Sequence, residues 1–216
     1  MMMNLFSTFD PCTGVLSMNW MSTLVVMMML NYNFWLNQNN IQMFMNKMTN
    51  YMKMEIDQIS NYSASNIMFL SIMMLIMIIN LMGLLPYMFT SSSHLIFSLA
   101  MAIPIWLSFF IFSWLNKTNL MFMHLVPLGT PTMLMPFMVM IETISNLIRP
   151  GSLGVRLTAN MIAGHLLMSL LGGSCSIFMT LMFMLIFIML MLFETAVSLI
   201  QAYVFMILST LYSSEI

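Results

Sequence analysis

Charge is what this chain has least of. Its 216 residues include five Lys and Arg and six Asp and Glu, 5% in all, with a formal net charge of −1. A soluble domain carries about 25% charged residues. With 61% hydrophobic residues and a mean hydropathy of +0.97, the chain could not solvate its own surface in water. Most of it must therefore face lipid or other apolar helices. No basic patch exists to meet phosphates, which argues against nucleic acid as a partner. The two cysteines, Cys12 and Cys175, stand far apart with no CxxC or CxH spacing, so neither a disulfide framework nor a metal site is expected. No His/Cys/Glu ligand set converges at i, i+3 or i+4. GxSxG, HExxH, P-loop and Rossmann patterns are missing as well, which disfavours catalysis on a soluble substrate and any cofactor. The N-terminus, MMMNLFSTFD, has neither a basic n-region nor an Arg-rich presequence, and the chain is expected to be made where it inserts or to be inserted by its own spans.

Methionine, by contrast, is abundant at 34 residues. Copper binding is one reading, but the methionines are spread over every apolar run, where they fill places that Leu or Ile would serve. Such a bias fits a genome whose code reads an extra codon as Met, as animal mitochondria do.

The composition predicts a single all-α polytopic membrane domain over residues 1–216. A first apolar run, 15–36, is long enough to span. Residues 40–60 are mixed, with Ile41, Phe44, Met45, Met48, Met52, Ile56 and Ile59 at steps of three and four and with Lys47, Lys53 and Asp57 between them. That pattern predicts an amphipathic helix on the membrane surface. A second span covers 65–85, ended by Gly83 and Pro86, and the polar turn TSSSH follows. The third span covers 95–115, with Pro104 as a kink. Asn116–Thr118 matches a glycosylation pattern, but nothing else points to a secretory route. His94 and His124 fall in turns and are expected to be solvated.

After the Gly/Pro-rich PLGTPTMLMP come two overlong runs, 132–171 and 177–212, joined by GGSCS. The first would be some ~60 Å long as one helix, against a hydrocarbon core of about 30 Å. It must tilt, bend at Pro150-Gly151, or do both. These two runs predict a long tilted hairpin, unlike the three ordinary spans before it. Lys47, Lys53 and Lys117 lie in alternate loops, which puts the C-terminus on the basic side and the N-terminus opposite.

The hairpin carries polar groups at depth. Glu142, Arg149, Arg156 and Ala163 recur every seven residues as one slowly drifting stripe, and Asn160 lies a turn beyond Arg156. His165, nine residues past Arg156, is about 180° round and roughly 13 Å further on. On the last run Glu194, Ser198 and Gln201 share a face that an antiparallel hairpin could turn toward His165. Ala159, Ala163 and Gly164 are small enough to admit a close neighbour. A guanidinium cannot shed its proton, and burying it in hydrocarbon costs from about 2.5 to well over 10 kcal/mol. Two readings stand for Arg156: a side chain that snorkels from a helix end, or a cation kept at depth to meet a charge. Arg149, beside Pro150, reads as interfacial. His165 is either bonded within the bundle or part of a polar path. Glu142 and Glu194 must be paired, wetted or protonated. Two carboxylates, two arginines and a histidine in one hairpin suggest a charge-translocating path.

The residues SLGVRLTANMIAGHLL, with IETIS upstream and ETAVSLIQAYVF downstream, closely resemble the subunit a (subunit 6) family of the membrane sector of the rotary F-type ATP synthase, in its mitochondrial form. LMGLLPYMFT, MAIPIW and PLGTPT do the same. The resemblance covers nearly the whole chain and is thinnest over 1–60. It implies a membrane helix, a surface helix, two more spans and two tilted helices against a c-ring of proteolipids. It implies that Arg156 is the essential coupling residue facing the ring carboxylates. His165 and Glu194 would line the half-channel open to the intermembrane space, Asn160 and Gln201 would lie near the arginine, and Glu142 would lie near the matrix-side exit. It assigns Arg149 nothing. The implied partners are the c-ring, peripheral-stalk and other membrane-sector subunits, the lipid bilayer and protons. The implied location is the mitochondrial inner membrane, with nucleotide chemistry left to other subunits. A stand-alone proton or cation channel, and a structural subunit of a respiratory complex, remain the rival readings.

Overall fold

The structure, a computed structural model, describes residues 5–12, 17–28, 37, 39–60, 63–116, 118–126, 129, 131–173 and 180–214. Most of these residues are helical, with no strand among them. The helices are α1 (Met21–Met28), α2 (Asn40–Ile59), α3 (Ser63–Gly83), α4 (Leu95–Asn116), α5 (Thr118–His124), α6 (Met135–Gly173) and α7 (Thr180–Ser214). Short 3-10 turns lie at Leu5–Phe9, Met18–Trp20 and Ser91–Ser93. Among the described residues, α3, α4, α6 and α7 are long and apolar enough to cross a membrane. The chain is therefore an all-α polytopic membrane protein.

Helices α2, α3, α4, α6 and α7 overlap the runs 40–60, 65–85, 95–115, 132–171 and 177–212 marked out by hydropathy. The run at 15–36 is described only from Ser17 to Met28, as a 3-10 turn and α1. The rest of that expected span, and the turn at 174–176, lie outside the described residues. The helix α5 was not anticipated: His124 was expected in a turn, yet the seven residues Thr118–His124 coil again.

Packing follows from spacing. On α3, Phe69, Met73, Ile76, Met77 and Asn80 step along one buried face, and on α7 Ser198, Ala202, Phe205, Met206 and Ser209 do the same. These two faces meet, while α4 packs on α6 and α6 on α7. Ala102 and Ile105 from α4, Leu153 and Leu157 from α6, and Ile56 from α2 complete one core. Gly154 lets α4 and α6 approach closely, since a Cβ there would lie 3.1 Å from Leu99 Cδ2.

The surface helix is tied down at its C-terminal end. The Ser60 N–H donates to the Ile56 carbonyl at 2.9 Å. The Ser60 hydroxyl bonds Asn66 Oδ1, and Asn66 Nδ2 donates to Asp57 Oδ1 at 2.7 Å, which clamps the corner between α2 and α3. Tyr203 of α7 donates to Glu55 Oε2 at 3.1 Å. Met45, Met48 and Met52 pack on the core as the amphipathic pattern required, whereas Ile41 and Phe44 of the same predicted face stay exposed.

Two arms of the fold exceed the membrane's thickness. At 1.5 Å per residue, the 39 residues of α6 and the 35 of α7 extend about 58 and 52 Å. Helical structure in α6 continues through Pro150 and Gly151 without a break. Such lengths exceed about 30 Å of hydrocarbon and call for tilt, a bend within the continuous helix, or both.

Candidate functional site: a polar seam along α6 and α7

Arg156 sits near the middle of α6. The helix turns its core face inward through Pro150, Leu153, Gly154, Leu157, Thr158 and Met161. The opposite stripe, Ser152, Val155, Arg156, Ala159 and Ala163, is exposed. Among the described residues, no side chain pairs with Arg156 through a hydrogen bond or an ion pair. Its neighbours on the stripe are small, so the guanidinium stands on a smooth, open surface. Asn160, one turn on, is half-buried, and so is Gln201 on α7.

Glu194 of α7 is turned into the bundle and is 8% exposed. Its carboxyl group packs over Gly164 of α6, so closely that a Cβ at Gly164 would sit 2.6 Å from Glu194 Cδ. Glycine is therefore required there to admit the carboxyl group. His165 is the next residue, half-buried, with the Phe9 ring meeting it edge-on at 6.2 Å. Both Glu194 Oε1 and His165 Nε2 are buried without a hydrogen-bond partner. Buried polar atoms are nearly always bonded, and unpaired ones call for water or a titrating partner. A cavity of about 720 Å³ reaches His165. Its walls come from the N-terminal segment at Ser7–Asp10, the turn at 83–90, and Met168, Phe187 and Met191. Asn19 holds that N-terminal wall by donating to the Asp10 carbonyl at 3.2 Å.

A second cavity, of about 370 Å³, opens near the other end of α6. Glu142, Asn146 and Arg149 of α6 line it, with Tyr212 of α7 and Ser113 of α4. Arg149 Nη2 lies 3.9 Å from Glu142 Oε1, and the guanidinium carbon lies 5.2 Å from the Tyr212 ring centroid. Along the axis of α6, Arg149 is about 10 Å to one side of Arg156 and His165 about 13 Å to the other. The two cavities share no lining residue.

The structure thus brings Glu194 to the Gly164–His165 step and Glu142 to Arg149, and it leaves Arg156 alone on the outer stripe. Two expectations change. His94 is not solvated: it is half-buried between Trp20 and Phe89, at ring distances of 5.2 and 5.3 Å, with Nε2 buried and unpaired. The TSSSH turn is likewise buried, because α3, α4 and α6 close over Ser91–Ser93. The side chain of His124 lies outside the description; its backbone ends α5 rather than a turn. Sequence reasoning also missed Asn80, which is fully buried with both amide atoms unpaired, and the buried Thr158. An Asn amid the apolar residues of the second span was the available signal. No cluster of three or more metal-binding side chains occurs among the described residues.

A helical membrane protein with a cation on an open face, unpaired among the described residues, and ionisable groups in two separate cavities belongs to the class that moves charge rather than to the soluble enzymes. Comparison with known proteins narrows the class. A family model described as ATP synthase A chain matches residues 14–214. ATP synthase subunit a of Anopheles gambiae is 51% identical over 225 residues, that of Locusta migratoria 50% over 224, and that of Drosophila melanogaster 48% over 223. Each comparison spans 100% of both chains. The chain belongs to the ATP synthase subunit a family. It is accordingly a membrane-sector subunit of the proton-translocating synthase and a mitochondrial membrane protein.

Proposed function

We propose that this chain is the stator subunit that passes protons to and from the carboxylates of a rotating c-ring through two offset half-channels. The position of Arg156, unpaired among the described residues and on an open small-residue stripe between two cavities that share no lining residue, supports this reading. A proton enters from the intermembrane space through the cavity at His165 and passes to Glu194. It then neutralises a ring carboxylate, which can turn into lipid at tolerable cost. After nearly a full turn that group meets the second cavity and releases its proton by way of Glu142 to the matrix. Arg156 favours the ionised carboxylate between the two clefts, and its fixed charge keeps protons from leaking directly across. Asn160 and Gln201 flank the guanidinium. The drive is about 2.3 kcal/mol per proton per 100 mV, plus any pH difference.

This reading places the protein in the mitochondrial inner membrane, with its N-terminus in the intermembrane space and its C-terminus in the matrix. Lys47, Lys53 and Lys117 then lie on the matrix side. Peripheral-stalk subunits hold it against the ring, and the chain itself does no nucleotide chemistry.

Lysine at 156 keeps a charge but loses the planar fork, and a desolvated lysine can deprotonate. ATP-driven proton pumping by the reconstituted synthase should fall at least ~100-fold in Arg156→Lys, the scale of losing one preorganised charge. Normal pumping by that variant would overturn the role given to Arg156.

A further inference from the structure

We infer that Arg149 is a positioning residue that acts through Glu142, holding its carboxylate at the wall of the second cavity, with the Tyr212 ring as the platform that fixes the guanidinium. The inference rests on the exit role given above to Glu142 and adds the device that orients it.

Three observations converge. Seven residues separate Glu142 and Arg149 along α6, so both point to one stripe two turns apart. Their side chains close that gap to 3.9 Å, beyond a direct N–H···O bond, so the pair is attracted without being locked. The guanidinium carbon meanwhile lies over the Tyr212 ring, 5.2 Å from its centroid, in the last turn of α7. Arginine suits this double duty: its charge is permanent, and its flat face stacks on an aromatic ring while its edge donates outward.

The surroundings match the role. Asn146 lies between the two charges on the same helix and lines the same cavity. Pro150 has no N–H for the Asn146 carbonyl four residues earlier, so that carbonyl loses its helical donor beside the cavity. A loose ion pair, a carbonyl without its usual donor and an amide side chain make a wall that water can bridge. Arg149 and Glu142 are both partly exposed, so their pairing contributes little to stability, and an effect on flux is where it would show. The clamp also joins α6 to the end of α7, so the position of the carboxylate depends on how the two tilted helices pack.

A double-mutant cycle on the assembled synthase in liposomes tests this, read as ATP-driven proton pumping per complex, with native gels to confirm equal assembly. Glu142→Gln should slow pumping about threefold or more, and Arg149→Gln should slow it to a similar extent. The double variant should be no slower than Glu142→Gln alone, because Arg149 then has nothing to position. Tyr212→Leu should reproduce Arg149→Gln, and Tyr212→Phe, which keeps the aromatic face, should restore the rate. Additive losses in the double variant would overturn the inference while leaving the exit role of Glu142 intact. Equal losses in Tyr212→Phe and Tyr212→Leu would overturn it as well. A silent Glu142→Gln would overturn both the inference and that exit role, and the single variant tells this case from the others.

Discussion

At the scale of residues, the tightest constraint is the step Gly164–His165. The Glu194 carboxyl group occupies the space where a side chain at Gly164 would be, which is how a polar group on α7 comes to rest on the backbone of α6. Gly164→Ala should displace Glu194 and slow proton entry, and Gly164→Leu should stop it; both are measurable as passive proton uptake through the membrane sector. Unchanged uptake in Gly164→Leu would mean Glu194 is not on the path. Glu194→Gln should slow entry more than Glu142→Gln does, since Glu194 is the more deeply buried of the two. Equal and negligible effects would make both carboxylates structural. The grouping of Glu194 and Ser198 on an inward face was legible from steps of four, and so was the opposition of Arg156 and His165, since helical periodicity fixes both. The pairing of Arg149 was not. Interfacial arginines are common next to proline, and nothing in a linear string places Tyr212, 63 positions away, beneath its guanidinium. Asn80 escaped for a related reason: its burial appears only once the neighbouring helices are in place, and among the described residues its amide atoms find no partner even then.

At the scale of elements, length and apolarity decided most of the outcome. Spans of 20 residues and arms near 40 residues stand out in a chain with so few charges, and α3, α4, α6 and α7 appear close to where they were expected. What failed were the connections. The TSSSH turn is polar and its His94 was expected to be solvated, yet three helices bury Ser91–Ser93, and burial by tertiary neighbours leaves no local trace. The corner between α2 and α3 is held by Asp57, Ser60 and Asn66. Asn66→Leu removes that clamp; the Ser60 hydroxyl keeps its bond to the Ile56 carbonyl at 3.1 Å, so the cost is that of the two lost side-chain bonds, about 0.5–1.5 kcal/mol each. It should show as faster protease cleavage near residue 60 in isolated membranes; unchanged cleavage would mean the corner is held otherwise. Gly154→Leu overfills the contact with Leu99 and should lower the yield of assembled complex, with a penalty of about 1–3 kcal/mol.

At the scale of the whole molecule, the open face of α6 is the informative surface. A single chain that moved protons alone would enclose Arg156, whereas here the guanidinium stands outside with small residues around it. The purified chain in liposomes should therefore conduct almost no protons, and flux should appear only with the ring in place. Site-directed cross-linking tests the central claim most directly. Cysteines at Ser152, Ala159 and Ala163, along the Arg156 stripe, should each form disulfides with cysteines near the ring carboxylate in the assembled synthase. Cysteines at the core-facing Leu153 and Leu157 should not. Cross-links from the Arg156 stripe to stalk subunits alone, or to none, would contradict the account.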